Sequence, residues 1–398
     1  LSAAQLFSRL NPEDLTSRKV VQQTAQALTD AFHTTSTQLS NLNSDLTDNI
    51  KVKASEMNTI TAQIADLNGQ IQRIEGLGNN ANDLRDQRDV LTDNLSKIVN
   101  VKVQDTPQGY SISMGNTNLV TGGTPVSVSQ STLETAFQSG DLKSGEVYGM
   151  VVSRDQYVAD YQKQTDQMAN TIANGDITVT LPAGSVLPEG TVLNGVTYSG
   201  ANRTLASDLS VTVKGLNGLH KLGYEQNDPA TGASDLFTTS DGSSTITAAN
   251  MVLNPAIVAD ASKIASSMRT TGSGASETVV KGNNTTALLI SQLTDTSFKF
   301  VQGQSSNTTQ QGTIDDFYRS MIGQLGVQGQ EATRQETNQK TLLDQVDAQR
   351  QSVSGVSLDE EMANLIKFQK AYAAAARLMT TFDTNLDKII NGMGLVGR

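Results

Sequence analysis

The sequence predicts an α+β fold, elongated and multi-domain: a helical-bundle or coiled-coil rod built from both ends of the chain, with β-rich outer domains inserted in the middle. Three observations carry this reading. No Gly or Pro occurs from Glu13 to Asn68. Near the other end, apolar residues recur with a heptad period from Leu358 to Val396. Between these ends, helical spacing gives way to apolar–polar alternation around Gly and Pro turns.

In the first segment, apolar residues fall at Leu28, Phe32, Leu39, Leu42, Leu46, Ile50, Met57, Ile60, Ile64, Leu67, Ile71 and Ile74, mostly three or four apart. That is one face of a helix, and the successive fours at Leu42, Leu46 and Ile50 shift its register. At 1.5 Å per residue, about 55 residues span roughly 80 Å. A turn near Gly76 to Asn82 precedes a second helix from Asp83 to Val99, so residues 1–100 form the N-terminal part of the rod.

The run "VKVQDTPQGYSISMGNTNLVTGG" then alternates as β-hairpins do. Helical spacing returns near Tyr148 to Ala173. Asp176 to Val213, rich in Val, Thr, Gly and Pro, reads as a small β insertion that a short linker could replace. Leu216 to Gly282 is mixed and rich in Ser and Thr. Residues 101–284 are therefore assigned to a β-rich outer region with its insertion at 176–213. Residues 285–353 are assigned to the C-terminal part of the rod, helical from Ile314 and matched in length to the Leu28–Ile74 stripe. Residues 354–398 form a terminal coiled-coil helix.

That last helix is well specified locally. Ser357 and Glu360 have capping-box spacing, and Asp359, Glu360 and Glu361 place negative charge in the first turn, where the helix dipole favours it. Neither Gly nor Pro interrupts it between Val356 and Asn391, and Asn391-Gly392 supplies a stop. One ladder holds Leu358, Leu365, Tyr372, Met379, Leu386 and Met393; a second, three residues on, holds Phe368, Ala375, Phe382, Ile389 and Val396. This a/d pattern predicts a seam against another helix. Packing on the helix's own domain would satisfy the same pattern.

Composition narrows the function classes. The chain has 398 residues, 4% aromatics and no Trp, which favours thin packing over one thick core. A formal charge of −11 opposes non-specific nucleic-acid binding. The absence of Cys excludes disulfides and thiolate metal sites. No run approaches the roughly 18 apolar residues of a spanning helix, so membrane insertion is not expected. His33 and His220 are the only histidines and lie on different elements. Asp83, Asp86 and Asp89 alternate with Arg85 and Arg88, as in a salt-bridged helix start or, less simply, an acidic site. Gly323, Gly326 and Gly329 lack the strand and Lys of a phosphate cradle. Asn202, Asn284 and Asn307 head N-x-T triplets. No catalytic, cofactor or metal residue is assigned.

Three stretches carry a family resemblance: "SGVSLDEEMANLIKFQKAYAAAARLMTTFDTNLDKII", "NDLRDQRDVLTDNLSKIVNVKV" and "FYRSMIGQLG". Together they resemble the hook-associated protein 1 family of the bacterial flagellum, whose members sit at the hook–filament junction. The family opens with an N-terminal helical segment, whereas this chain begins at Leu1 in what reads as a fragment or processed form. The resemblance implies a non-enzymatic structural adaptor, secreted and placed in the extracellular flagellum. Its implied partners are the hook protein, the second hook-associated junction protein, further copies of itself in a ring or helical assembly, and an export chaperone. It also implies that Leu358, Leu365, Phe368, Tyr372, Met379, Phe382, Leu386 and Ile389 form an assembly interface, with no cofactor. Two alternatives stand beside it. One is another axial protein, either hook protein or second junction protein. The other is an axial scaffold carrying an enzymatic insert within Asp176 to Gly282, around His220, Glu189, Asp208, Glu225 and Asp228.

Overall fold

The computed structural model describes residues 11–106, 109–301, 309–355 and 357–392. The fold is α+β, and the chain divides into two compact units, 1–322 and 323–398.

Unit 1 is organised by α1 (Leu15–Gly76), a single helix of 62 residues. Asp14 caps it, its carboxylate accepting from the N–H groups of Thr16 at 2.9 Å and Ser17 at 3.3 Å. Helix α1 is buried in two places. Ile50, Ala54, Met57, Ile60 and Ile64 enter one core together with α2 (Asn82–Ile98) and a four-stranded antiparallel sheet. The strands, paired in sequence order, are β1 (Lys102–Thr106), β2 (Gly109–Met114), β3 (Thr117–Thr121) and β4 (Thr124–Pro125). Helices α3 (Gln130–Ser139) and α4 (Glu146–Val152) close this α1–α2 core with Leu133, Ala136, Val147 and Val151.

Helix α4 continues through a π-helical segment, Ser153–Val158, into α5 (Ala159–Asn174). Beyond it lies the second core. Strands β5 (Asp176–Leu181) and β8 (Leu209–Lys214) pair antiparallel, Asp176 opposite Lys214 through Leu181 opposite Leu209. The period of two sends Ile177, Val179 and Leu181 inward. Between them, β6 (Thr191–Leu193) and β7 (Val196–Tyr198) turn at Asn194-Gly195, both at positive φ (49° and 76°), the backbone of a tight hairpin.

The rest of unit 1 adds short elements to this β5–β8 core: α6 (Gly215–His220), β9 (Phe237–Thr239), β10 (Met251–Leu253), α7 (Pro255–Ala259), β11 (Thr270–Thr271), β12 (Thr278–Val279), α8 (Thr285–Ser291), β13 (Phe298–Val301) and β14 (Thr309–Gly312). Val21, Ala25 and Phe32 of α1 enter the same core, as do Phe317 and Met321 from the first turns of α9 (Ile314–Ser354). Phe317 stacks on Phe300 with ring centroids 4.0 Å apart. The two sequence-distant ends thus meet in one core.

Two features differ from the sequence reading. Helix α3 occupies a stretch assigned to β-rich structure. Its signal is a reciprocal cap: the Thr132 N–H donates to Ser129 Oγ at 3.3 Å, and the Ser129 N–H donates to Thr132 Oγ1 at 3.2 Å. Second, the described residues between 285 and 312, assigned to the rod, form α8 and the paired strands β13 and β14, while the continuous helix starts at Ile314 as its pattern predicts. There a cap between Thr313 and Asp316 sets the start, at 3.0 and 3.1 Å.

Unit 2 comprises the rest of α9, from Gly323, and α10 (Leu358–Gly392), 35 residues long. Its apolar side chains Leu325, Val327, Leu342, Leu343, Val346 and Val353 are exposed.

The 176–213 segment contributes Ile177, Val179, Leu181, Leu187, Leu193, Leu205, Val211 and Val213 to the second core, so it is no detachable appendage. Replacing it with a Gly/Ser linker is expected to abolish the cooperative melt of that core. Leu181→Ala, at a fully buried position, should cost about 2–5 kcal/mol in urea unfolding; a wild-type midpoint would refute the placement.

Candidate assembly surface

Helix α10 starts where its sequence says it should. The Glu360 N–H donates to Ser357 Oγ at 3.4 Å, and the Glu361 N–H donates to the Ser357 carbonyl at 2.9 Å. Its polar face is satisfied internally: the hydroxyls of Thr380, Thr381 and Thr384 donate to the carbonyls of Ala376, Arg377 and Thr380. The apolar ladder has no such satisfaction. Leu365, Phe368, Tyr372, Met379 and Phe382 are 57–79% exposed. Met362 and Leu378 widen the stripe at e and g positions that the a/d assignment omitted, and Ile366 lies at a b position on the other side of the helix; all three are exposed. The side chains of Leu358, Leu386 and Ile389, and residues Met393 and Val396 altogether, lie outside the described part of the structure. A continuous bare apolar face of this kind marks an interaction surface.

The residues weighed for chemistry have structural occupations. His220 is fully buried: Ala265 N–H donates to its Nε2 at 2.9 Å, so Nδ1 carries the proton and donates to the Ser234 carbonyl at 2.6 Å. Burial pushes its pKa down to about 4. Next to it, buried Arg18 of α1 donates to the carbonyl of Ile264, to Ser266 Oγ at 2.7 Å and to the Pro12 carbonyl at 3.0 Å. Its pKa falls to about 10 through burial. The Ile264–Ser266 segment is therefore held from two sides, by α1 and by α6.

The acids of the 176–282 region do not converge. Asp208 accepts from Ala183 N–H, Asp228 from Val279 N–H, and Glu189 from Gly200 N–H, at 2.8, 3.0 and 3.2 Å. Glu225 sits 3.6 Å from Lys263. Among the described residues, no group of His, Asp and Glu could hold a metal ion. Gly323, Gly326 and Gly329 lie inside α9 and form no cradle. Asn202 is exposed, Asn284 half-buried, and Asn307 lies outside the described residues.

The Asp/Arg run of α2 resolves into two unlike arginines. Arg85 makes an ion pair with Glu75 through two 2.7 Å bonds at the α1–α2 turn. Arg88 is buried, its guanidinium 3.6 Å from the ring centroid of Tyr110. It donates to Asn68 Oδ1 at 3.0 Å; Asn68 Nδ2 donates to the carbonyls of Tyr110 at 3.1 Å and Gly122 at 2.8 Å. The Tyr110 hydroxyl returns to the Arg88 carbonyl at 3.2 Å. This closed circuit ties α1, α2 and two sheet segments together. Asp83, Asp86 and Asp89 remain on the exposed face. Sequence spacing could not separate Arg88 from Arg85, because its partners lie on α1 and the sheet.

Comparison with known proteins follows this geometry. Residues 8–176 match the family model described as the flagellar hook-associated protein FlgK helical domain, and 348–392 match the flagellar basal body rod FlgEFG protein C-terminal model. The chain is 31% identical to flagellar hook-associated protein 1 of Bacillus subtilis, covering 100% of this chain and 75% of that protein. It is 28% identical to flagellar hook-associated protein 1 of Escherichia coli, over 96% and 77%. The flagellar hook junction protein FlgK from Burkholderia pseudomallei shares the fold, with TM-score 0.56 at 14% identity over 89% of this chain and 93% of that one.

Two outcomes test these side chains. Arg88→Ala should destabilise the α1–α2 core by about 2–4 kcal/mol in urea titration, the sum of a desolvated cation–π contact and orphaned acceptors; Asp86→Ala, on the surface, should change it by less than about 0.5 kcal/mol. For His220, the native pKa lies below the unfolded one, so the unfolded chain takes up a proton that the native state refuses. Its contribution is complete above about pH 6.5 and is lost as pH falls to about 4, worth about 3 kcal/mol in full. In His220→Gln, the slope of stability between pH 6.5 and 4 should drop by about one proton; an unchanged slope would refute the neutral buried assignment.

Proposed function

From the premise that the chain belongs to the flagellar hook-associated protein 1 family, we propose that its exposed α10 seam is the surface through which it is built into the flagellum. The protein is a structural adaptor subunit of the bacterial flagellum, at the junction between hook and filament. It is exported, and none of its described helices is long and apolar enough to cross a membrane. Its work is geometric: it assembles with the hook and other flagellar components through helical packing. No catalytic step is part of this reading, which rests on the hook-associated family of the chain.

The observation that carries the seam assignment is the exposure of Leu365, Phe368, Tyr372, Met379 and Phe382 on one helical face. Burying each large apolar side chain against a partner gains about 1.5–3 kcal/mol, which is ample to drive association over several turns. Most helical stability in proteins comes from packing of an apolar face rather than from intrinsic propensity, so the order of α10 also depends on what packs against it. In this reading Leu358, Leu386 and Ile389 continue the seam. The partners we propose are the hook protein, the second hook-associated junction protein, neighbouring copies in a ring or helical array, and an export chaperone that covers the seam before assembly. The rod-protein match at 348–392 fits a terminal helix shared among axial proteins.

The test is Leu365→Asp combined with Met379→Asp in cells. Filaments should be lost while the purified protein keeps the wild-type melt of unit 1, because both side chains are exposed. Normal filaments would overturn the assignment.

A further inference from the structure

The two hydrophobic cores of unit 1 are joined along the chain by only two passages. One is α1 between Phe32 and Ile50; the other is the helix running from Val151 to Met168. Neither passage is packed as the cores are. None of the α1 residues 33–49 is buried. On the second passage the buried side chains are Val158, Asp160, Gln164 and Thr165, three of them polar. His33 brings a buried Nε2 that has no hydrogen-bond partner among the described residues. An orphaned buried nitrogen is a mark of incomplete packing.

At the same level the second passage leaves α-helical geometry and becomes π-helical over Ser153–Val158. A π segment within an α-helix is a rare distortion, and kinks concentrate where it occurs. What ties the π segment to α1 and to the α1–α2 core is polar. Arg154, inside the π segment, donates to Glu134 of α3 at 2.7 Å, to Asp155 at 2.7 Å and to Thr47 of α1 at 3.3 Å. Such bonds exchange for water at little net cost, unlike an interdigitated apolar core.

We propose that this neck is a bending joint, with the π segment as its pivot and Arg154 as its strap. Two rigid cores move against each other about it, and α1 flexes along residues 33–49, none of which is fully buried. The inference is independent of the flagellar assignment, since it concerns an isolated chain in solution. In an assembled subunit it would let the β5–β8 core change its angle while the α1–α2 core stays fixed.

The absence of native Cys allows paired spin labels to test the joint in the full chain. Gln138→Cys with Ser244→Cys places exposed labels on the two cores; Gln138→Cys with Ser127→Cys places both on one. The distance distribution by pulsed electron resonance should be at least about twofold broader across the neck than within the core, a contrast expected of hinged rigid bodies. Arg154→Ala should broaden the cross-neck distribution further and leave the within-core pair unchanged. Amide exchange should be faster at 153–158 than in α4 and α5. A cross-neck width equal to the within-core width, or equal protection throughout 146–174, overturns the proposal. The wild-type comparison decides even if Arg154→Ala fails to fold.

Discussion

A helix as long as α1 cannot be buried by one small core, and the rest of unit 1 is arranged around that constraint. Its 62 residues rise roughly 93 Å, several times the thickness of a single packed layer. Two separate groups of elements therefore cover its ends. The α2 hairpin, the sheet and α3–α4 cover Ile50 to Ile71, and the β5–β8 elements cover Val21 to Phe32. The stretch between is left half-wet, and the neck follows from that geometry. The buried arginines sit where α1 needs fixing: Arg18 near its start and Arg88 opposite Asn68 near its end. Directional bonds set helix rotation and register, which a thin apolar contact leaves loosely defined.

Legibility from sequence divides along the same physical line. Features fixed by neighbours within a few residues could be read: α1 from its missing Gly and Pro, α10 from its heptads, β1–β4 from alternation, α2 to within one residue at each end. Helix α3 was missed because its ten residues give too few turns for periodicity, and its Ser129–Thr132 cap resembles the Ser/Thr-rich loops nearby. The stretch from 285 to the start of α9 reads as rod from sequence, whereas its described residues form α8, a short 3-10 turn and the paired strands β13 and β14. Arg88 and His220 could not have been placed. Arg88 looks like Arg85 until Tyr110, 22 residues away, is folded against it, and the neutrality of His220 depends on Ala265, 45 residues on.

The candidate surface shows the same division between local cause and distant partner. Which face of α10 is apolar is a property of the heptad alone, so Leu365, Phe368, Tyr372, Met379 and Phe382 could be named in advance. Met362 and Leu378 could not, because the a/d rule counts only the centre of a two-helix seam. A stripe that extends to e and g positions can meet more than one neighbouring helix.

The distribution of polarity between the units follows from where packing is completed. Unit 1 buries Arg18, Arg88, His220, Asn68 and Asn217 with partners of its own, because its cores are closed by folding. Unit 2 has apolar ladders with no covering residue among those described, while its hydroxyls are paired internally. Folding therefore closes the cores of unit 1, whereas the described apolar side chains along α10 are left exposed. In the proposed assembly this division keeps the two steps from competing, since substitutions in the cores act on stability and substitutions along α10 act on association. A long helix whose polar groups are already satisfied also gives a neighbour little to desolvate beyond side-chain tips, so nearly all the area it buries contributes to association.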